Sequence, residues 1–337
     1  MNKKNIAYSL LELALVPQGS TIKQALNNSL TVAKTAEENN YKRMWFAEHH
    51  NAGYIGSSAP SILIGYVAEN THKMRIGSGG VMLPNHSPLI VAEQFGTLAH
   101  LYPGRIDLGL GRAPGTDPQT AQAIRSDFYQ AAQNFPQEVE KIQKYMAVEN
   151  QTAPVRATLA EGTDVELYIL GSSTDSAHLA ARKGLPYSFA SHFASTHLFD
   201  ALKIYHENFQ PSEFLANPYT IVGVNVLVAD TDEEAQRLFT TLVRMFISVL
   251  TGNRDAIQPP TEMTADLQEA LKHPSLHQML KYSFVGSRET VKTQIQEFLQ
   301  QTQADELIIV STTFELEARL KSIKMFAEIM EDINQGR

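Results

Sequence analysis

The chain has 337 residues, 43% of them hydrophobic and 19% charged, with a formal net charge of −8. That length can bury a large core as one large domain or two small ones, and the acidic balance does not favour a nucleic-acid-binding surface. There is no cysteine, which excludes disulfides, thiolate metal sites, Fe–S ligation and thiol nucleophiles, and fits a reducing compartment.

The N-terminal stretch "NKKNIAYSLLELALVPQG" sets lysines before an apolar run. Glu12 interrupts the run and no small-x-small cleavage site follows, so Ile6, Tyr8 and Leu10 read as a buried first strand over 6–13, not a signal peptide. Ile22, Leu26, Leu30 and Ala33 then share a helical face, with Ser20 or Thr21 as N-cap. Strand-like runs follow at 43–48 and 74–83. A helix opens at Ser87 with Pro88 in its first position and ends at Pro103-Gly104. A fourth strand covers 105–111 and a fifth 165–171, separated by a long helix and a polar stretch. "STDSAHLAARKG" is a short helix ending at Gly184, followed by strands at 185–191 and 219–229. Thr231 and Glu234 form a capping box, "TGNRDAIQPPTEM" marks an irregular segment, and a last strand at 305–311 leads into an amphipathic helix.

Eight strand–helix alternations predict an α/β fold, a (β/α)8 TIM barrel. It forms one domain over 1–337, with insertions after strands four (112–164) and seven (239–285). An open doubly wound sheet is the alternative on pattern alone. No run of about 18 uninterrupted apolar residues occurs, so no membrane span is expected, and the protein reads as cytoplasmic.

A barrel brings the C-terminal ends of its strands to one mouth. Strand two is followed by Glu48, His49 and His50, strand three carries Gly77-Ser78-Gly79-Gly80, and strand four ends in Gly111-Arg112. Strand five leads into Ser172, Ser173 and Ser176, and strand six into Ser191-His192. The serines sit where a helix begins, and free N–H groups there favour phosphate, with Arg112 one strand away to clamp it. A plain N-cap role for Ser173 or Thr174 stays open. "GLGRAPG" (109–115) has the wrong spacing for a dinucleotide loop. The glycines of strand three mark either a bulge or room for a flat ligand. His49 and His50 point to opposite sides of an extended segment, and no third ligand is spaced for a metal, so no metal is expected. A histidine there suits proton transfer near neutral pH.

"RMWFAEHH", "RIGSGGVMLPNHSPLIVAEQFGTLAHLYPGRIDLGLGRAPG", "LYILGSSTDSAHLAARKGLPYSFASHF" and "FVGSRETV" together resemble the bacterial luciferase-like flavin monooxygenases, and within them the non-luminescent, alkanal-monooxygenase-like branch. The resemblance spans about Ile6 to Glu331. It implies a (β/α)8 barrel that uses reduced FMN and O2 to oxidise a small organic substrate, with the reduced flavin supplied by a separate flavin reductase. His49 matches the active-site histidine that serves proton transfer beside the flavin. Glu48 matches a neighbour near the flavin or the subunit contact. Gly79 and Gly80 match small residues under the flavin ring, joined in relatives by a cis peptide. Arg112 and Ser172, Ser173 and Ser176 match the phosphate-binding groups, and His50 and His192 are expected on the substrate side. True luciferases carry glutamate at the position of Ser172, and a reactive cysteine where this chain has Gly111. That departure puts light emission and long-chain aldehyde use in doubt.

The resemblance also implies a homodimer through the barrel's helices two and three, and a mobile lid for which the segment 251–283 is the candidate. Three alternatives stand beside the monooxygenase: a non-catalytic flavin-binding protein, a deazaflavin-dependent oxidoreductase of the same fold, and a barrel hydrolase using Glu48 and His49.

Overall fold

The computed structural model describes residues 5–336. Lys3 and Lys4 of the N-terminal stretch, and the outer ends of the expected 1–337 domain, lie outside them. Nine parallel strands lie among the described residues: β1 (Ala7–Glu12), β2 (Arg43–Phe46), β3 (Arg75–Met82), β4 (Ile106–Gly111), β5 (Glu166–Gly171), β6 (Tyr187–Phe189), β7 (Thr220–Ala229), β8 (Ser283–Ser287) and β9 (Glu306–Val310). The first seven and β9 are the eight expected strands. They pair in chain order from β1 to β7, and β9 joins β7 to β1, so the sheet closes. Closure excludes the open doubly wound alternative. No helix among the described residues is long and apolar enough to cross a membrane.

β8 was not expected. It pairs with Asn225–Ala229, the half of β7 that runs on past its pairing with β9, and so stands outside the barrel. The Gly79–Val81 register shift against β4 confirms a bulge in β3.

The helices start where side chains satisfy their first N–H groups. Thr21 and Gln24 form a reciprocal capping box, which selects Thr21 over Ser20. Thr231 accepts from Glu234 N, but the Glu234 carboxylate returns to Asp230 N, so that box is only half formed. Gly184 closes its helix at φ +58°, in the left-handed region glycine favours.

Alternation along each strand sorts the core into two. Met44, Phe46, Val222, Val224 and Ile309 face the helices. Leu11, Trp45, Ala47, Tyr168, Ile221, Ile308 and Val310 fill the barrel. The N-terminal end of the barrel is plugged by charge. Arg43, 1% exposed, donates from Nη1 to Asp107 Oδ2 (2.7 Å) and from Nε to Glu306 Oε1 (3.0 Å). Trp45 Nε1 donates to Asp107 Oδ2 (2.9 Å), and Ser9 hydrogen-bonds Glu306. Charges set in the apolar runs "RMWF", "RIDLGLG" and "DELIIV" were the available signal for this cluster.

Candidate active site

Strand alternation decides which residues of "AEHH" reach the mouth. Trp45 and Ala47 point into the barrel, and His49 continues that set. Its backbone N–H donates to Ser57 O (3.0 Å), but neither ring nitrogen has a hydrogen-bond partner among the described residues, and Nδ1 is buried. Burial depresses the imidazole from 6.5 to about 4, against the pull of Glu48 and with help from His50. His49 is therefore a neutral imidazole at pH 7.

Glu48 lies on the opposite side and is 0% exposed. Its carboxylate accepts from Met82 N (3.0 Å), Asn85 Nδ2 (2.9 Å), His50 Nε2 (2.9 Å) and His86 Nε2 (2.9 Å). Burial alone would push Glu48 up, but the hydrogen bonds from His50, His86 and Asn85 bring it down to about 2. Through these bonds Glu48 ties the end of β2 to the end of β3. His50, half-buried, spends Nε2 on that carboxylate. His86 and Asn85 are missed by sequence reasoning, because nothing local marks residues 37 and 38 positions away as partners of Glu48.

The Gly79–Gly80 peptide is cis. A Cβ on Gly79 would lie 2.8 Å from Leu11 Cδ1, and one on Gly80 2.8 Å from Gly109 O. Contact within the barrel wall, and not only a ligand, therefore requires glycine at both. At Gly111 a Cβ would come within 2.9 Å of Met82 Sδ, so the thioether occupies the space beside the position where luciferases carry cysteine.

The serine segment divides. Ser173 is the N-cap of the helix Thr174–Lys183 but makes no side-chain cap bond, which disfavours the plain-cap reading and leaves that terminus free for an anion. Ser172 is exposed beside it. Arg112 reaches the same terminus, with Nη1 3.4 Å from Asp175 Oδ2 in the first turn. Both partners are more than half exposed, so the pair is weak and readily exchanged. Ser176 does not share that freedom: its hydroxyl donates to Ser173 O (2.7 Å) and pairs with Tyr187 Oη (3.0 Å). These bonds shape the turn into the helix.

His192 faces the mouth after β6. Its Nδ1 is buried without a partner, and burial, then His49, depress the ring to about 3. Gly223 on β7 makes room for it, since a Cβ there would lie 2.6 Å from His192 Nδ1. Asn225 Nδ2 holds the His192 carbonyl at 2.6 Å. A polar residue inside the apolar strand "TIVGVNVLVA" was the signal for Asn225.

The candidate lid is docked across this end. Ile257 bridges Pro17, and Arg254 Nη2 pairs with Asp117 Oδ2 (2.9 Å). Asn51 reaches the same Asp117–Thr120 turn. Farther on, helix Pro274–Leu280 receives a hydrogen bond from Ser195 Oγ to Gln278 O (2.8 Å). No cluster of three or more potential metal ligands occurs among the described residues.

The family model of the luciferase-like monooxygenases matches residues 10–306. The chain belongs to that family. A luciferase-like monooxygenase of Escherichia coli (strain K12) is 43% identical over 333 residues, which covers 99% of both chains. The crystal structure of apo-MsnO8 superposes with a TM-score of 0.88 at 33% identity, over 97% of this chain and 98% of that one. At the level of fold alone, the oxygenating constituent of 3,6-diketocamphane monooxygenase from Pseudomonas putida, solved in complex with FMN, gives a TM-score of 0.71 at 17% identity. It covers 96% of this chain and 97% of that one. Luciferase-like monooxygenases thus share this barrel, and the neutral, unpartnered imidazoles lie at the end where such barrels do chemistry.

Proposed function

We propose that the protein is a two-component FMN-dependent monooxygenase, taking reduced FMN from a separate flavin reductase and using O2 to oxidise a small organic substrate. One observation carries the reading: Arg112 stands over a helix N-terminus whose N-cap serine leaves the N–H groups free, at the same barrel mouth as His49. That is an anion site paired with a proton-transfer group. The residues fit FMN. Arg112, Ser172 and Ser173 would hold the phosphate, and the bulge at Gly79-Gly80 would support one ring face. Bound reduced FMN supplies the electrons and the O2 chemistry.

This chain's own part is to bind, orient and keep water out. His49, neutral and with both ring nitrogens unpaired, accepts or returns a proton at the mouth without first breaking a protein hydrogen bond. His192 bounds the substrate side. The docked segment through Ile257 and Arg254 covers the mouth. The test is substrate-dependent O2 consumption with enzymatically reduced FMN, wild type against His49→Ala. Equal coupled turnover in both removes His49 from the role. Titration with oxidised and reduced FMN and with a deazaflavin separates the cofactor alternatives, and free-rate reoxidation of bound reduced FMN identifies a flavin-binding protein without turnover.

The same reading takes the chain as one domain and as a homodimer. Ile62 and Tyr66 on helix Pro60–Ala68, and Ile90 and Leu101 on helix Pro88–Leu101, are exposed large hydrophobics on the two helices expected at the interface. Light scattering of wild type and Ile62→Asp tests it: a monomeric wild type rejects the dimer.

A further inference from the structure

Two buried polar atoms beside His192 have no part in the reading above. Asn225 and Thr312 are each 2% exposed, and Asn225 Oδ1 and Thr312 Oγ1 have no hydrogen-bond partner among the described residues. The amide orientation of Asn225 is fixed by its other end: Nδ2 donates to His192 O (2.6 Å) and Ser283 Oγ (3.2 Å), so the atom left over is the acceptor. Asn225 lies opposite Val310 in the β7–β9 register, two residues before Thr312, at the rim of the barrel. Both side chains line one crevice, roofed by Phe239 and Leu242 of the helix Asp232–Thr251 and walled by Val285. No charged side chain lines it, and as shaped it is too narrow for a free water. A buried polar atom left unpaired is costly, so a group that pairs both gains affinity when it displaces the roof side chains.

We propose that Asn225 and Thr312 form a substrate subsite for one neutral group that both donates and accepts a hydrogen bond, a hydroxyl or a secondary amide on an otherwise apolar molecule. The amide oxygen of Asn225 demands a donor, and the Thr312 hydroxyl supplies one in return. An ether or ketone has no proton for Asn225. A carboxylate meets the Asn225 oxygen with no cation to offset it. The proposal rests on the mouth being a substrate site and names the chemistry its substrate carries.

Calorimetric titration in saturating FMN tests it with three probes: octan-1-ol, its isomer dibutyl ether, and octanoate. The alcohol is expected to bind at least about tenfold tighter than the ether, the factor that one buried unpaired polar atom supplies, with octanoate weakest. Thr312→Val, which leaves the Asn225–His192 bond intact, should narrow the alcohol preference severalfold, and Asn225→Leu should bring it to within about twofold. Equal binding of the two isomers by wild type, no saturable binding of the alcohol, or a preference that survives both substitutions overturns the subsite. A parallel FMN titration keeps the readings apart. Lost alcohol preference with FMN bound sinks only the subsite, and absent FMN binding with the preference intact sinks only the cofactor reading.

Discussion

At one end of the barrel Arg43 meets Asp107 and Glu306 with every buried atom of the three paired; at the other, His49, His192, Asn225 and Thr312 each keep a buried polar atom without a partner. Both ends place polar groups in the low-dielectric interior of one barrel, so burial is not what distinguishes them. The closed end answers each charge with its opposite and acts as a fixed plug. The mouth leaves its groups neutral and unanswered, which costs stability and keeps them free to act on something else.

Breaking the plug should give the largest effect. Arg43→Met strips Asp107 and Glu306 of their most buried cation, leaving Arg75 on Asp107 and Lys42 on Glu306, and removing one partner of such a pair costs about 3–5 kcal/mol. Urea unfolding should show a loss of that order or no folded protein, and a loss under about 1 kcal/mol would mean that the plug relaxes. His49→Ala should do the reverse. Removing a positioned acid/base lowers coupled turnover by about 10²–10⁴-fold, while the unfolding midpoint stays the same or rises, because no hydrogen bond is lost. A matching fall in stability would make His49 structural. Arg112→Ala should weaken FMN binding by roughly 10- to 100-fold, as for a lost hydrogen bond to a charged group, with unfolding unchanged because its partner among the described residues is the exposed Asp175.

Acid sharpens the same contrast. His49 and His192 have folded values of about 4 and about 3, below the unfolded 6.5. The unfolded chain therefore takes up protons first as pH falls below 6.5, so their contribution is full above 6.5 and declines towards pH 3 to 4. Glu48, held at about 2 against an ordinary 4.5, adds a second loss only below pH 4.5. Unfolding followed from pH 7.5 to 5 should show a slope that His49→Gln with His192→Gln removes; a slope unchanged in that variant assigns the proton uptake elsewhere.

The strands were legible because each is a short apolar run closed by glycine, proline or a helix cap, and eight such runs leave few topologies. β8 was not, since five residues leading straight into a helix cap at Ser287 carry too little pattern to separate from the helix. At the site, His49 was legible through period-two alternation, and Arg112 through its place at a strand end. Glu48 and His49 part company in the structure. The motif joins them in sequence, while the pleat sends one into the wall, where its partners His50, His86 and Asn85 come from two different loops. Ser176 bonds Ser173 O because a hydroxyl in a helix's first turn has a backbone carbonyl in reach whatever else is nearby.

Trp45 gives the molecule its own optical gauge. It is the only tryptophan, its indole N–H is tied into the plug through Asp107, and its ring edge borders Gly79. Its ultraviolet emission should dim as an isoalloxazine settles on the bulge, and shift to longer wavelength only when the plug opens to water. One natural fluorophore thus separates occupancy from unfolding by intensity against colour, with no label added.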